Sequence, residues 1–231
     1  MAVSIKLLQR FEILNSMPEH TLESLASQSI LRSVGRRGTI LNSGQQGESL
    51  CFLFEGRLQG VDFTLDGREV GLYFVEPGDF CGELGLFDSQ GQPESVIALT
   101  RSQVVFIPLS SIKVALQNNY LLVESMFVRM AGRVRQLSTQ RALLGLSNTT
   151  GRVCGQLWIM LSEQKKNNPL EDVILNPPTH QELGIMLNLS RETVTRVFQT
   201  LQTNKIVKRD GSSRLEILKP QALKELAEAK E

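Results

Sequence analysis

The sequence predicts an α+β chain in three parts: an N-terminal β-roll of the jelly-roll kind, one long helix, and a C-terminal winged helix-turn-helix. Three observations carry this. Glycines recur at short intervals from Gly35 to Gly91 with short apolar runs between them, the pattern of many short strands joined by turns. From 121 to 146 the pattern turns helical and keeps a heptad stripe. From Thr179 to Leu201 the residues spell two short helices around a tight turn, and a hairpin follows. The expected divisions are 1–118, 119–147 and 148–231.

The C-terminal stretch organises the rest. Thr179 followed by Glu182 is a capping-box pattern, so a helix starts there and presents Gln181. Leu183 and Leu187 share one face, Gly184 admits a close second helix, and Asn188 tolerates left-handed geometry at the turn. Ser190 is a good N-cap for the second helix. There Val194, Val197, Phe198 and Leu201 make a buried stripe, and Arg191, Glu192, Thr195 and Arg196 make the opposite face. Arginine pairs bidentately with guanine and glutamate accepts from the cytosine amino group, so this face suits base edges in a major groove. The bland reading is a solvated helical hairpin. The capping box and the paired arginines weigh against it. Strand-like runs 206–209 and 214–217 flank Asp210-Gly211, a hairpin turn signal that makes a wing. Lys205, Lys208, Arg209 and Arg214 add charge there, in a chain of formal net charge +1, and Lys208 and Arg209 sit where phosphates would lie.

With 231 residues and 41% hydrophobic residues, two modest domains with real cores are expected. No apolar run is long enough for a bilayer and no signal-peptide pattern opens the chain, so a cytoplasmic location and no membrane partner are expected. Cys51, Cys81 and Cys154 are widely separated and the histidines are His20 and His180, which is no metal-site spacing; the cysteines read as buried reduced thiols, with a redox role for Cys81 left open. No nucleophile elbow, P-loop or dinucleotide fingerprint is present, so the chain reads as no enzyme.

Taken in order, 7–14 and then Met17, Leu22 and Leu25 read as short helices, the second opening at Pro18. Strands are expected at 39–41, 50–54, 70–75, 96–99 and 104–107. Ser110-Ser111 reads as the cap of a short helix, and the long helix runs from about 121 to 146. Its stripe Val123, Phe127, Met130, Val134, Leu137, Arg141 and Leu144 alternates spacings of four and three, which suits a two-helix coiled coil and hence a homodimer. Two helices so paired hold two recognition helices about 34 Å apart, one turn of DNA. The alternative is that the stripe packs on its own β-roll. Gly145 and 147–151 read as a hinge, 165–169 as a polar loop, and 220–231 as a charged, solvated helix.

The segments 47–56 (GESLCFLFEG) and 77–87 (PGDFCGELGLF) resemble the cyclic-nucleotide-binding β-roll. Together with 190–194 (SRETV) they make the chain similar to bacterial transcription factors of the catabolite activator (cyclic AMP receptor) superfamily, from about residue 7 to 218. The resemblance implies that Gly82, Glu83 and Leu84 open a short helix cradling phosphate and ribose, with Glu83 accepting from the ribose hydroxyl. It implies an arginine and a serine after the glycine-rich lid. Ser95 matches, but Glu94 stands at the arginine position, where a carboxylate repels phosphate. The family's threonine-serine pair on the long helix reads Leu137-Ser138. A cyclic nucleotide is therefore a candidate effector, with cyclic AMP disfavoured by Glu94. Either Glu94 points to solvent, with Arg101 or a helix arginine substituting, or another small effector or none is used. Arg191, Glu192 and Arg196 match the family's base-reading triplet, which implies an inverted repeat of double-stranded DNA with TGTGA-like half-sites. RNA polymerase is the implied partner, through the 165–172 loop. The rival is a sensor module that gates a protein partner.

Overall fold

The computed structural model describes residues 3–15, 17–88 and 90–228. Contacts divide it into two compact units, 1–136 and 137–231.

The first unit opens with α1 (Ile5–Leu8), α2 (Glu12–Asn15) and α3 (Glu19–Gln28). The strands follow: β1 (Ile30–Val34), β2 (Thr39–Leu41), β3 (Ser49–Glu55), β4 (Leu58–Phe63), β5 (Glu69–Val75), β6 (Phe80–Cys81), then a 3-10 turn at Glu83–Leu86, β7 (Ser95–Ala98) and β8 (Ser102–Pro108). They form two antiparallel four-stranded sheets, ordered β1-β8-β3-β6 and β2-β7-β4-β5. Strand β3 explains its unbroken apolar run. Cys51 and Leu53 face a core shared with Leu58, Tyr73, Val75, Val96 and Val104 of the strands around it, while Leu50 and Phe52 face a second core built with α1 to α4. Such a strand is buried on both faces and needs no polar alternation. Next come α4 (Leu109–Gln117) and α5 (Tyr120–Leu144). Leu122 and Met126 of α5 close the second core.

The second unit holds α6 (Thr149–Asn167), β9 (Val173–Leu175), α7 (His180–Leu187), α8 (Arg191–Thr203), β10 (Val207–Asp210), β11 (Arg214–Ile217) and α9 (Pro220–Glu228). Its sheet is ordered β10-β11-β9, and the hairpin turns at Gly211, whose φ is +62°. The last turn of α5 packs here too, with Leu143 against Gly155 of α6.

Several local expectations are corrected. Strands β1, β4 and β6 were not anticipated. In β4, Gly60 reads as turn punctuation but sits mid-strand, because a Cβ there would come within 2.5 Å of the Tyr73 ring. Ser110 and Ser111 cap nothing: α4 starts at Leu109 after Pro108, and the Ser111 hydroxyl donates to Gln28 Oε1 at 2.6 Å. The hinge is shorter than expected, since Asn148 accepts from the amides of Thr150 and Gly151 and starts α6 there. Lys165 and Lys166 are the last turn of α6 and not loop. The tail helix α9 is not solvated: Leu223 is fully buried, and Lys224 lies 5.8 Å from the Trp158 ring centroid. Residues 229–231 of that expectation lie outside the described residues.

Candidate nucleic-acid interface and effector pocket

The helix-turn-helix forms as its residues dictate. Thr179 accepts from the Glu182 amide at 3.2 Å and Glu182 accepts from the Thr179 amide at 2.8 Å, closing the capping box. Asn188 takes the left-handed conformation at φ +52°, and a Cβ on Gly184 would lie 2.7 Å from the Leu189 carbonyl. Ser190 accepts from the Thr193 amide at 3.1 Å and starts α8. Val194, Val197, Phe198 and Leu201 are buried; each such side chain contributes about 1.5–3 kcal/mol. That burial fixes the rotation of α8 and leaves Arg191, Glu192 and Arg196 exposed, while Gln181 is exposed at the start of α7. Arg196 also donates to the Thr193 hydroxyl at 3.4 Å.

Thr195 behaves differently. Its hydroxyl donates to the Arg191 carbonyl at 2.8 Å and lies 2.9 Å from Nδ1 of His180. The His180 ring packs on Phe198 at 4.5 Å. Burial, then Arg209 and Arg191, hold the His180 pKa below its ordinary value. On the wing, Lys208 is exposed and pairs with Glu216 at 3.5 Å, while Arg209 is half-buried.

The last carbonyls of α7 would be orphans at a helix end. Gln140 of α5 donates to the Met186 carbonyl at 2.5 Å, and Arg152 of α6 donates to the Leu146 carbonyl at 2.6 Å and to that of Leu187 at 3.5 Å. So the C-terminal turn of α5 and the start of α6 are hydrogen-bonded to the first helix of the pair.

In the first unit, Gly82 is left-handed at φ +92° and leads into the 3-10 turn. Glu83, only 2% exposed, pairs with Arg133 of α5, Nε to Oε1 at 3.2 Å. The Arg133 guanidinium lies 3.2 Å from the centroid of the Tyr73 ring. The Tyr73 hydroxyl donates to Glu94, which is 8% exposed. Burial first, and the Glu94 charge with it, keep the Tyr73 phenol far above its usual pKa, so it remains a donor. Burial opposes the Arg133 charge, but Tyr73 and Glu83 outweigh it and raise the guanidinium pKa. Ser95 accepts from the Ser43 amide at 3.0 Å.

A profile of the cyclic nucleotide-binding domain matches residues 31–119, and a profile of the Crp-like helix-turn-helix domain matches 151–226. The chain is 28% identical over 195 residues to the cAMP-activated global transcriptional regulator CRP of Escherichia coli, covering 84% of this chain and 92% of that protein. It is 28% identical over 196 residues to the cAMP-activated global transcriptional regulator Vfr of Pseudomonas aeruginosa, covering 83% and 91%. Among solved structures, FixK2 from Bradyrhizobium japonicum superposes with a TM-score of 0.75 at 22% identity, covering 88% of this chain and 99% of that one. The chain belongs to the catabolite activator (cyclic AMP receptor) superfamily. It is a transcription regulator with a DNA-binding helix-turn-helix and an effector-binding domain. Among the described residues, no helix is long and apolar enough to cross a membrane.

Within this catabolite activator superfamily member, the nucleotide pocket departs from the expectation in two ways. Glu94 does not point to solvent; it turns inward to Tyr73. Arg101 does not substitute for the missing arginine, being exposed and donating to Ser33 at 3.4 Å. A helix arginine does enter the cluster, but Arg133 arrives as the partner of Glu83. The contacts Glu83–Arg133–Tyr73–Glu94 thus join the 82–84 turn to Ser95, whereas Leu137 and Ser138 are exposed on the part of α5 that lies in the second unit. The residue at the position of the family's phosphate-holding arginine is thus a buried carboxylate, whose charge opposes that of a phosphate.

His180, Tyr73, Arg133 and Gln140 carry contacts that the sequence did not announce. For Arg133 there was a signal: Leu122, Met126, Arg129 and Arg133 follow helical spacing, a second face on the long helix. On the other face Phe127, Val134 and Leu137 stay exposed, at 68%, 66% and 49%, with Met130 and Leu144 half-buried beside them. The cysteines are free and buried; burial pushes the Cys154 thiol up to about 12, and Cys81, hydrogen-bonded to Cys51 and buried, is raised as well.

Proposed function

We propose that the chain works as a homodimer that reads an inverted repeat with TGTGA-like half-sites. The supporting observation is the split of α8: its apolar stripe is fully packed, and Arg191, Glu192 and Arg196 are left exposed together on the other side. Arg191 and Arg196 pair with guanines and Glu192 accepts from a cytosine amino group. Gln181, Thr179 and Ser190 at the helix starts, and Lys208 and Arg209 on the wing, hold phosphates. Thr195 acts by fixing the start of α8 through Arg191 and His180.

Dimerisation runs through Phe127, Met130, Val134, Leu137 and Leu144. The apolar stripe on α5 leaves large side chains in water, and a second α5 in register covers them. Segment 119–147 is then the spine and hinge between a sensor domain, 1–118, and a DNA-binding domain, 148–231. RNA polymerase contacts the 165–172 segment, which Lys165 and Asp172 pin by an ion pair at 2.5 Å.

The test is selection from a random duplex pool with the full-length protein. Enrichment of an inverted repeat whose half-sites lie one helical turn apart, about 34 Å, is the expected result. Enrichment of unpaired half-sites, or of no motif, overturns the reading.

A further inference from the structure

A cyclic nucleotide brings a phosphate charge and a ribose hydroxyl. Its pocket needs a free cation for the first and a free acceptor for the second. In this β-roll the cation is missing at position 94, where a carboxylate stands, and the other groups that would serve have partners within the fold. Glu83 is held by Arg133, Glu94 accepts from Tyr73, and Ser95 accepts from the Ser43 amide. Gln92, also buried, reaches back with its amide to the Gly82 carbonyl at 3.5 Å. Glu83 pairs with the Arg133 guanidinium and Glu94 with the Tyr73 hydroxyl, so the contacts link two carboxylates and one guanidinium. A phosphate drawn to Arg133 would leave Glu83, only 2% exposed, without its charge partner.

The same contacts do mechanical work. Arg133 belongs to α5, Tyr73 to β5, Glu94 to the residues before β7, and Glu83 to the turn after β6. One helical turn earlier on α5, Arg129 donates to Asp79 at 2.7 Å and to the Phe80 carbonyl at 3.2 Å. Positions 129 and 133 share a face, and Leu122 and Met126 extend that face into the apolar core. Residues 122–133 of the helix are therefore fastened to the roll. Gly60 is part of the fastening, since only a missing Cβ leaves room for the Tyr73 ring.

We infer that this β-roll is its own effector: Glu94, Tyr73, Arg133 and Glu83 fill the nucleotide site and tie α5 to the roll, so operator binding does not await a cyclic mononucleotide. The part concerning the operator rests on the DNA-binding reading above; the part concerning the pocket does not.

The experiment uses full-length protein dialysed free of nucleotide. Calorimetric titration with cyclic AMP and with cyclic GMP, each to about 1 mM, gives no saturable heat. Operator affinity, read by fluorescence anisotropy, stays within about twofold when either is added. Arg133→Leu lowers operator affinity about tenfold and speeds hydrogen exchange along 120–136 while β3 stays protected. Glu83→Gln, which keeps the shape, does the same to a smaller degree and guards against a misfolded leucine variant. Saturable binding of either nucleotide, or operator binding that appears only once nucleotide is added, overturns the inference. So do wild-type affinity and unchanged exchange in both variants. Loss of operator binding under every condition would sink the DNA-binding reading alone, because the calorimetry still decides the pocket.

Discussion

Nδ1 of His180 lies 2.9 Å from the hydroxyl oxygen of Thr195, and that hydroxyl has already given its proton to the Arg191 carbonyl at 2.8 Å. The oxygen can then only accept, so Nδ1 carries the hydrogen. This fixes the tautomer of the one histidine in the helix pair and links the first helix to the start of the second.

A pH dependence follows from that placement. Burial, then Arg209 and Arg191, lower the His180 pKa below its ordinary 6.5. Below that value the unfolded chain holds more protons than the folded one, so stability falls as pH falls, and the loss is complete once pH is under the folded value. Phosphates beside Arg191 and Arg209 relieve the repulsion, so DNA binding takes up a proton and operator affinity rises as pH falls through the same window. Urea titrations and anisotropy between about pH 5.5 and 7.5 check both slopes. His180→Asn flattens them; slopes that persist in the variant refute the assignment.

Much of this interface was legible because its signals are local. Thr179 with Glu182, Asn188, and Ser190 each act within four residues, so their geometry is written into adjacent positions. The pocket was not legible for the opposite reason. Glu94 and Tyr73 are separated by 21 positions and Glu83 and Arg133 by 50, and no local pattern says that a carboxylate will be buried against a tyrosine. Gly60 misled for a related cause: its role is to admit a ring from the neighbouring strand, which sequence reports only as a glycine.

Gly60→Ala measures how tightly that ring is held. The new methyl would sit 2.5 Å from Tyr73 Cε1 and Cζ, so the ring must shift from its place under Arg133. Overpacking of this sort costs about 1–3 kcal/mol. Thermal unfolding should fall by roughly 2–12 °C. Gly67→Ala, at an exposed turn where φ is +78° and nothing lies within 4 Å, reports backbone strain alone and separates the two effects.

The dimer is tested on α5 where it is most exposed. Phe127→Glu with Val134→Glu places charge on the apolar seam while leaving Leu122, Met126, Arg129 and Arg133 on the other face untouched. Two like charges on each helix, doubled across a pair, should shift sedimentation from dimer to monomer at micromolar concentration. Far-ultraviolet dichroism should change little, since the face that packs on the roll is preserved. A variant that remains dimeric places the partner contact elsewhere.

Base reading and phosphate holding should separate by salt. Arg191→Ala or Arg196→Ala should each cost about 1–3 kcal/mol of discrimination and relax one position of the half-site, with the salt slope little altered by comparison. Lys208→Ala should weaken all sequences alike and reduce the slope by about 1. Glu216 holds Lys208 at 3.5 Å in the free protein, so part of the lysine charge is already spent within the wing. Glu216→Gln releases it and removes a negative charge from the phosphate side, which should raise affinity for every sequence without changing the preferred one. Anisotropy titrations on the selected operator and on a scrambled duplex, across a salt series, resolve the three classes; a Glu216→Gln protein that binds more weakly would show that the pair orients Lys208 instead of restraining it.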